Sequence, residues 1–104
     1  MIRESVIENY LVSECKKLGI KIRKVQWIGR RGCPDRLLIY KGGVFVELKR
    51  PKGGELSFHQ IQEQKMLVEN GFKVVNICTK EEVDQFINSE VLPKCKKTKK
   101  NEKP

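Results

Sequence analysis

The segment that decides the fold is PDRLLIYKGGVFVELK, residues 34–49. Two runs of mainly apolar residues, 36–40 and 44–49, flank a turn that contains two adjacent glycines. Runs of this length on either side of a Gly-Gly turn are typical of a β-hairpin. The segment therefore predicts two antiparallel strands joined by a tight turn at residues 41–43.

Helices are predicted on both sides of this hairpin. Residues 3–18 repeat apolar side chains at helical spacing, which predicts an amphipathic helix. Ser57 with Gln60, and Thr79 with Glu82, have the spacing of capping boxes. A second helix is therefore expected from Ser57 to about residue 70, and a third after Thr79.

Two further segments are predicted to be strands. In the segment 20–28, IKIRKVQWI, apolar residues, with Trp27 as a further member, alternate with basic ones, as in a half-buried strand. The β-rich run KVVNIC, 73–78, predicts a last strand. The expected order is αβββαβα, an α/β fold with a mixed central sheet flanked by helices.

Length and composition indicate one domain and a tail. The 104 residues are 38% hydrophobic and 34% charged, which suits one compact core with a highly charged surface. We expect residues 1–92 to form that single domain. Residues 93–104 are rich in lysine and lack apolar periodicity, so a basic, disordered tail is expected there.

The charge balance favours a polyanionic partner. Lysine and arginine number 22 against 13 acidic residues, which gives a net charge of +9. Residues 94–103 contribute +5 of this charge, and the remaining body is still basic. Nucleic acid is therefore the expected partner, and a merely well-solvated cationic protein is the alternative.

The sequence also indicates a soluble, cytoplasmic protein. No apolar run approaches the length of a membrane span, and the N-terminus lacks the basic start and apolar stretch of a signal peptide. The four cysteines include no C-x-x-C pair, so reduced thiols are expected rather than a zinc site.

Three side chains of the hairpin region suggest chemistry. Glu47 and Lys49 project from the same side of the second hairpin strand, and the hairpin brings Asp35 alongside Glu47. Two adjacent carboxylates repel unless a cation lies between them. Mg²⁺ suits such oxygen ligands, and Mn²⁺ is expected to substitute for it. The metal would lower the pKa of a bound water, which Lys49 would orient for attack on a phosphodiester.

A plainer interpretation of the same residues is a surface ion pair between Glu47 and Lys49, with Asp35 serving only the turn. The order of the motifs and their basic surroundings favour the catalytic interpretation. Basic side chains flank the expected site in sequence and are the candidate phosphate contacts. These residues are Arg30, Arg31, Arg36, Arg50 and Lys52.

The motif order resembles that of one nuclease family. The matching features are Ile7-Glu8 in a helix ending at Gly19, RGCPDR at 31–36, ELK at 47–49 and LSFHQ at 56–60. Over about residues 3–90 the chain resembles the VRR-NUC (virus-type replication-repair nuclease) family of the PD-(D/E)xK superfamily. The resemblance implies a restriction-endonuclease-like core, metal-dependent cleavage of DNA and a homodimer. It also implies that Glu8 is the helix glutamate of the family and a third carboxylate ligand of the catalytic metal, with Glu4 as the alternative.

The resemblance assigns roles to four further residues. It implies that Asp35 and Glu47 are metal ligands and that Lys49 is the catalytic lysine. Gln60 matches the family's glutamine, which implies support of the catalytic site, although its own spacing indicates only a helix cap.

The expected substrate is branched DNA such as a Holliday junction, cleaved by structure rather than sequence, in a bacterial or phage-infected cell. This expectation follows from the resemblance and from the small size of the chain. The alternatives are a flap or nicking nuclease that acts with a replication or repair partner, and a basic nucleic-acid-binding module without catalysis. Trp27 could stack on a base at a junction, or belong to the core or an interface.

Overall fold

The computed structural model describes residues 3–51 and 53–91, which form a four-stranded sheet packed against helices. The elements in chain order are α1 (Glu4–Lys17), β1 (Lys21–Lys24), β2 (Arg36–Ile39), β3 (Val44–Leu48), α2 (Phe58–Glu69), β4 (Lys73–Ile77) and α3 (Lys80–Phe86), followed by a π-helical turn (Ile87–Val91). The predicted order αβββαβα and the α/β class are confirmed. The predicted tail and Lys52 lie outside the described residues.

The sheet is mixed, and its strands follow the order β1-β2-β3-β4. Strands β1, β2 and β3 pair antiparallel, and β4 pairs parallel with β3. The predicted hairpin is confirmed, with Leu38 opposite Val44 and Leu37 opposite Phe45. A parallel neighbour needs a crossover connection, and α2 provides it.

One side of the sheet, which we call the core face, contains most of the buried apolar side chains. Ile7, Leu11 and Cys15 recur every four residues along α1 and are fully buried. They belong to one cluster with alternate residues of the strands and with apolar residues of α3. The strand members of this cluster are Leu38, Val44, Val46, Leu48 and Ile77.

The opposite side of the sheet, the site face, is only partly covered. Helix α2 packs over β4, where Gln64 and Asn76 exchange hydrogen bonds of 2.7 and 3.0 Å. Toward β2 the site face is open, because Ile39 is 54% exposed and Phe72 is 42% exposed. The functional side chains of the hairpin lie on this second face.

Helix boundaries agree with the sequence pattern, and one strand boundary does not. Both predicted capping boxes are present, at Ser57 before α2 and at Thr79 before α3. The strand predicted over 20–28 was wrong at its end, since β1 stops at Lys24. Trp27 instead packs edge-on against Phe45 of the site face, with ring centroids 6.1 Å apart. Among the described residues, no helix is long and apolar enough to cross a membrane.

The assignment of the two faces can be tested with neighbouring residues of β2. Leu38→Ala is expected to lower the free energy of unfolding by about 2–5 kcal/mol, because Leu38 is fully buried in the core cluster. Ile39→Ala, at a site that is half exposed, is expected to cost less than about 1 kcal/mol. Urea unfolding of both variants measures this difference, and equal losses would contradict the observed register.

Candidate active site

The candidate site is centred on a buried carboxylate. Glu47 lies on β3, between its antiparallel neighbour β2 and its parallel neighbour β4, and only 1% of its surface is exposed. Burying an ionised carboxylate costs several kcal/mol unless other groups compensate its charge. The neighbours of Glu47 are therefore decisive for its chemistry.

Asp35 is fixed beside Glu47 by backbone hydrogen bonds. Its N–H, just before β2, donates to the carbonyl oxygen of Val46 at 3.1 Å. Its Oδ2 accepts a hydrogen bond of 2.8 Å from the N–H of Leu48. Asp35 acts on Glu47 both as a neighbouring charge and as a hydrogen-bond partner, so the two carboxyl groups lie side by side. The predicted proximity of the two carboxylates is present in the structure.

Lys49 and Gln60 approach the same carboxylate oxygen of Glu47. The Nζ of Lys49 lies 3.8 Å from Oε2, and the Nε2 of Gln60 donates to Oε2 at 3.0 Å. Lys49 directly follows β3, where its N–H donates to the carbonyl of Ile77 at 3.0 Å and keeps the strand alternation. The other end of the Gln60 amide accepts from the N–H of Ser57 at 2.9 Å. Gln60 is thus a helix cap and a contact of the site at once.

The surroundings of Glu47 favour its protonated form. The pKa of Glu47 is raised from 4.5 to about 8, and burial is the main cause. Asp35 contributes to this rise by charge repulsion and as a hydrogen-bond partner of the protonated form, and Glu4 contributes a smaller repulsion. Lys49 acts in the opposite direction and lowers the pKa. The site therefore attracts positive charge, either a proton or a cation.

The donor set fits a hard divalent cation. Oε1 of Glu47 is buried and has no hydrogen-bond partner in the described residues, although the other oxygen has two neighbouring cationic or N–H groups. Carboxylate oxygens are the ligands that Mg²⁺ prefers, and Mg²⁺ commonly takes only one or two of them from a protein. Within residues 3–51 and 53–91, no group of three or more acidic, histidine or cysteine side chains assembles into a metal cluster. The chain thus offers the Asp35–Glu47 pair rather than a complete cage.

The two glutamates of α1 have different surroundings. Glu8 Oε2 lies 2.6 Å from Nε of Arg36, and both side chains are about four-fifths buried. Arg36 points to the core face, because its strand partner is Val46. Glu4, one turn earlier, contributes to the repulsion felt by Glu47. The structure therefore engages Glu8 in an ion pair and couples Glu4 to the carboxylate pair.

The predicted phosphate contacts do not form one group. Arg31 and Arg50 are exposed, and Arg30 is exposed with its guanidinium 3.6 Å from Glu63. Arg36 is engaged by Glu8 as described above. These positions leave the loop before β2 and the turn after β3 as the basic rims of the site.

Glu63 is a feature that the sequence analysis missed. It is 8% exposed, on the buried side of α2, and its carboxylate faces Arg30. Gln60 lies three residues earlier on the same side of α2, so the helical spacing to a predicted site residue was the available signal. Glu63 holds the basic loop against α2.

A fold of this class with two neighbouring carboxylates, a lysine and a basic rim suits a nuclease. No protein-family model matches the sequence. The chain is similar to the "Putative nuclease p44" of Acyrthosiphon pisum secondary endosymbiont phage 1, at 42% identity over 77 residues that cover 72% of this chain and 82% of the relative. It is also similar to a solved structure of a "VRR_NUC domain", with a TM-score of 0.78 and 28% identity, covering 84% of this chain and 96% of the other. The chain belongs to the VRR-NUC family of nucleases.

The electrostatic state of Glu47 predicts how stability depends on pH when metal is removed. A carboxyl group with a higher pKa in the folded state binds its proton more tightly when folded, so stability is lost as pH rises from 4.5 toward about 8. In EDTA, the free energy of unfolding is expected to fall across this window. Glu47→Gln introduces a side chain of nearly the same size that cannot ionise, so it should flatten the dependence of stability on pH.

Urea unfolding at several pH values measures the slope for both proteins. Glu69→Gln, at an exposed position at the end of α2, is the matched control and should retain the wild-type slope. An unchanged slope in Glu47→Gln would contradict the proposed charge state.

Proposed function

We propose that this chain is a Mg²⁺-dependent endonuclease that hydrolyses phosphodiester bonds of DNA, with Mn²⁺ as an alternative metal. The observation that supports it best is the buried Glu47 carboxylate beside Asp35, one oxygen of which has no hydrogen-bond partner among residues 3–51 and 53–91. A buried carboxylate pair is unfavourable without a cation, which suits a site that binds a divalent ion together with a phosphate.

Each residue of the proposed site has a separate role. Asp35 and Glu47 would hold the metal, which would supply charge neutralisation and Lewis-acid polarisation of the phosphate. Gln60 fixes the orientation of the Glu47 carboxylate through its 3.0 Å hydrogen bond. Lys49 presents an ammonium at the edge of the pair, where it can orient the attacking water and offset charge that develops on the phosphate.

We propose a structure-selective enzyme for branched DNA such as a Holliday junction. The described domain has no second recognition module, and its basic rims suit contacts to phosphates rather than to base edges. A homodimer would present two sites to the two scissile strands of a junction. The open site face around Ile39 and Phe72 supports such an apolar interface. The phage relative suits action in the cytoplasm of a bacterial or phage-infected cell.

The catalytic role of the pair is tested by Asp35→Asn and Lys49→Ala. Asparagine retains an oxygen that can accept from Leu48 N–H, so the hairpin should stay folded while metal binding is lost. Both variants are expected to lower Mg²⁺-dependent cleavage by at least about 100-fold. Binding should persist in Asp35→Asn, or tighten, because a negative charge near phosphate is removed.

Cleavage of four-way junctions, flaps, nicked and linear duplexes of shared sequence provides the measurement, with Lys65→Ala on the exposed side of α2 as control. Cleavage that appears only with a replication or repair partner would instead favour the partner-dependent flap or nicking nuclease. Binding without cleavage in wild-type protein, unchanged in Asp35→Asn, would favour the non-catalytic binding module.

The two glutamates of α1 give a further prediction. We propose that Glu4 supplies the helix carboxylate near the metal, whereas Glu8 stabilises the fold through Arg36. Glu4→Gln is expected to reduce cleavage by at least about 10-fold with little change in stability. Glu8→Gln is expected to lower the free energy of unfolding by about 1–3 kcal/mol, because it weakens a largely buried ion pair. Cleavage rates and urea unfolding of both variants measure these effects. If Glu8→Gln lost cleavage without loss of stability and Glu4→Gln did not lose cleavage, Glu8 would be the helix carboxylate near the metal.

A further inference from the structure

We propose that the loop between β1 and β2 binds an unstacked nucleobase: Ile28 inserts at a strand branch, and the groove beside Trp27 receives the displaced base. The inference rests on the proposed function, because it assigns a substrate contact to that nuclease. It extends the proposal from phosphate contacts to a contact that distinguishes branched from linear DNA.

Ile28 is an unusual residue for the tip of a loop. It is 95% exposed, at a turn with Gly29, whose φ of +79° permits the sharp reversal. Leaving a complete isoleucine side chain in water gives no folding benefit. Proteins that bend or open DNA commonly insert such an apolar wedge between base steps. The position therefore suits contact with a partner surface rather than packing within the chain.

A groove lies directly beside this side chain. Its volume is about 660 Å³, within the range of small-ligand pockets. The lining residues are Gln26, Trp27, Ile28, Arg30, Glu63 and Met66. Trp27 and Met66 form apolar walls for a flat ring, and the amide of Gln26 offers both a donor and an acceptor to a base edge.

The charge of the groove's rim selects among possible occupants. Arg30 is exposed at the rim, 3.6 Å from the carboxylate of Glu63, and the exposed Arg31 lines the adjoining pocket. A nucleotide would place its base against the apolar walls and its phosphate beside Arg31. An apolar peptide segment would match the walls but would bring no anion to Arg31. Apolar walls beside exposed arginines therefore favour a nucleotide over an apolar peptide as the occupant of the groove.

The loop is rigidly connected to the candidate active site. Its ends are tied where the N–H of Val25 donates to the carbonyl of Asp35 at 3.2 Å. Gly32 packs so closely on α2 that a Cβ would lie 2.4 Å from the carbonyl oxygen of His59. A base held in the groove would therefore fix the branch point relative to Asp35.

The experiment uses a four-way junction with 2-aminopurine at the branch point, whose fluorescence rises when the base unstacks. The full chain bearing Asp35→Asn binds without cutting, and is compared with and without Ile28→Ala. Without Ile28→Ala, the fluorescence is expected to rise on binding. With it, we expect loss of this rise and affinity for the junction weaker by at least about 5-fold. Affinity for a linear duplex should be unchanged.

Two controls separate a wedge from a general surface effect. Ile28→Leu retains an apolar wedge and should restore the fluorescence rise, whereas Val68→Ala removes an apolar side chain that is 56% exposed elsewhere, on α2, and should have no effect. An equal rise with and without Ile28→Ala would overturn the proposal. So would a wild-type dimer that Ile28→Ala dissociates, since the groove would then belong to a second copy of the chain.

The outcome is distinguishable from failure of the nuclease proposal. An Ile28-dependent rise in a protein that cuts none of the tested DNAs would support base binding and contradict the nuclease. Mg²⁺-dependent cleavage by a protein whose fluorescence rise does not depend on Ile28 would support the nuclease and overturn the base-binding inference alone.

Discussion

The repulsion between two neighbouring carboxylates, one of them buried, is the constraint on which the site depends. Glu47 has almost no contact with water, and Asp35 is held beside it by hydrogen bonds of the hairpin backbone. Lys49, at 3.8 Å, offsets only part of the cost of burying Glu47 beside Asp35, and the pKa of Glu47 stays raised mainly because of burial. The fold therefore keeps a carboxylate pair that is stabilised when a proton or a cation enters the site.

The fold can maintain this unfavourable pair because its stabilising contacts lie on the other face of the sheet. Val46 and Leu48, on either side of Glu47 in the sequence, point into the core cluster. Strand β3 therefore contributes apolar side chains to the core and the Glu47 carboxylate to the site. The parallel pairing with β4 also fixes the C-terminal end of β3, where Glu47 pairs with Asn76 and Leu48 with Ile77. Because adjacent residues of a strand point to opposite faces, β3 places its stabilising side chains on the core face and Glu47 on the site face.

Local patterns predicted much of this architecture. The Gly-Gly turn predicted the hairpin, both capping boxes occur at Ser57 and Thr79, and the alternation of β3 placed Glu47 away from the core. Predictions from the sequence were wrong or incomplete for residues whose positions depend on tertiary packing. Ile22 and Trp27 are five residues apart, an odd spacing that puts them on opposite faces, and the chain leaves the sheet between them. The roles of Glu4 and Glu8 were likewise open, because both lie on one edge of α1 and only the position of Arg36 separates them.

Arg36 shows how strand alternation and tertiary packing together decide the role of one residue. Arg36 follows Asp35 directly, but alternation turns its side chain to the core face, where it pairs with Glu8. An arginine that could have served as a phosphate contact thereby fixes the helix against the strand that begins beside the site. Because this pair is largely buried, its loss would weaken the contact between α1 and β2. The start of β2 is therefore anchored on both faces of the sheet: backbone hydrogen bonds hold Asp35 on the site face, and the Glu8–Arg36 pair holds α1 on the core face.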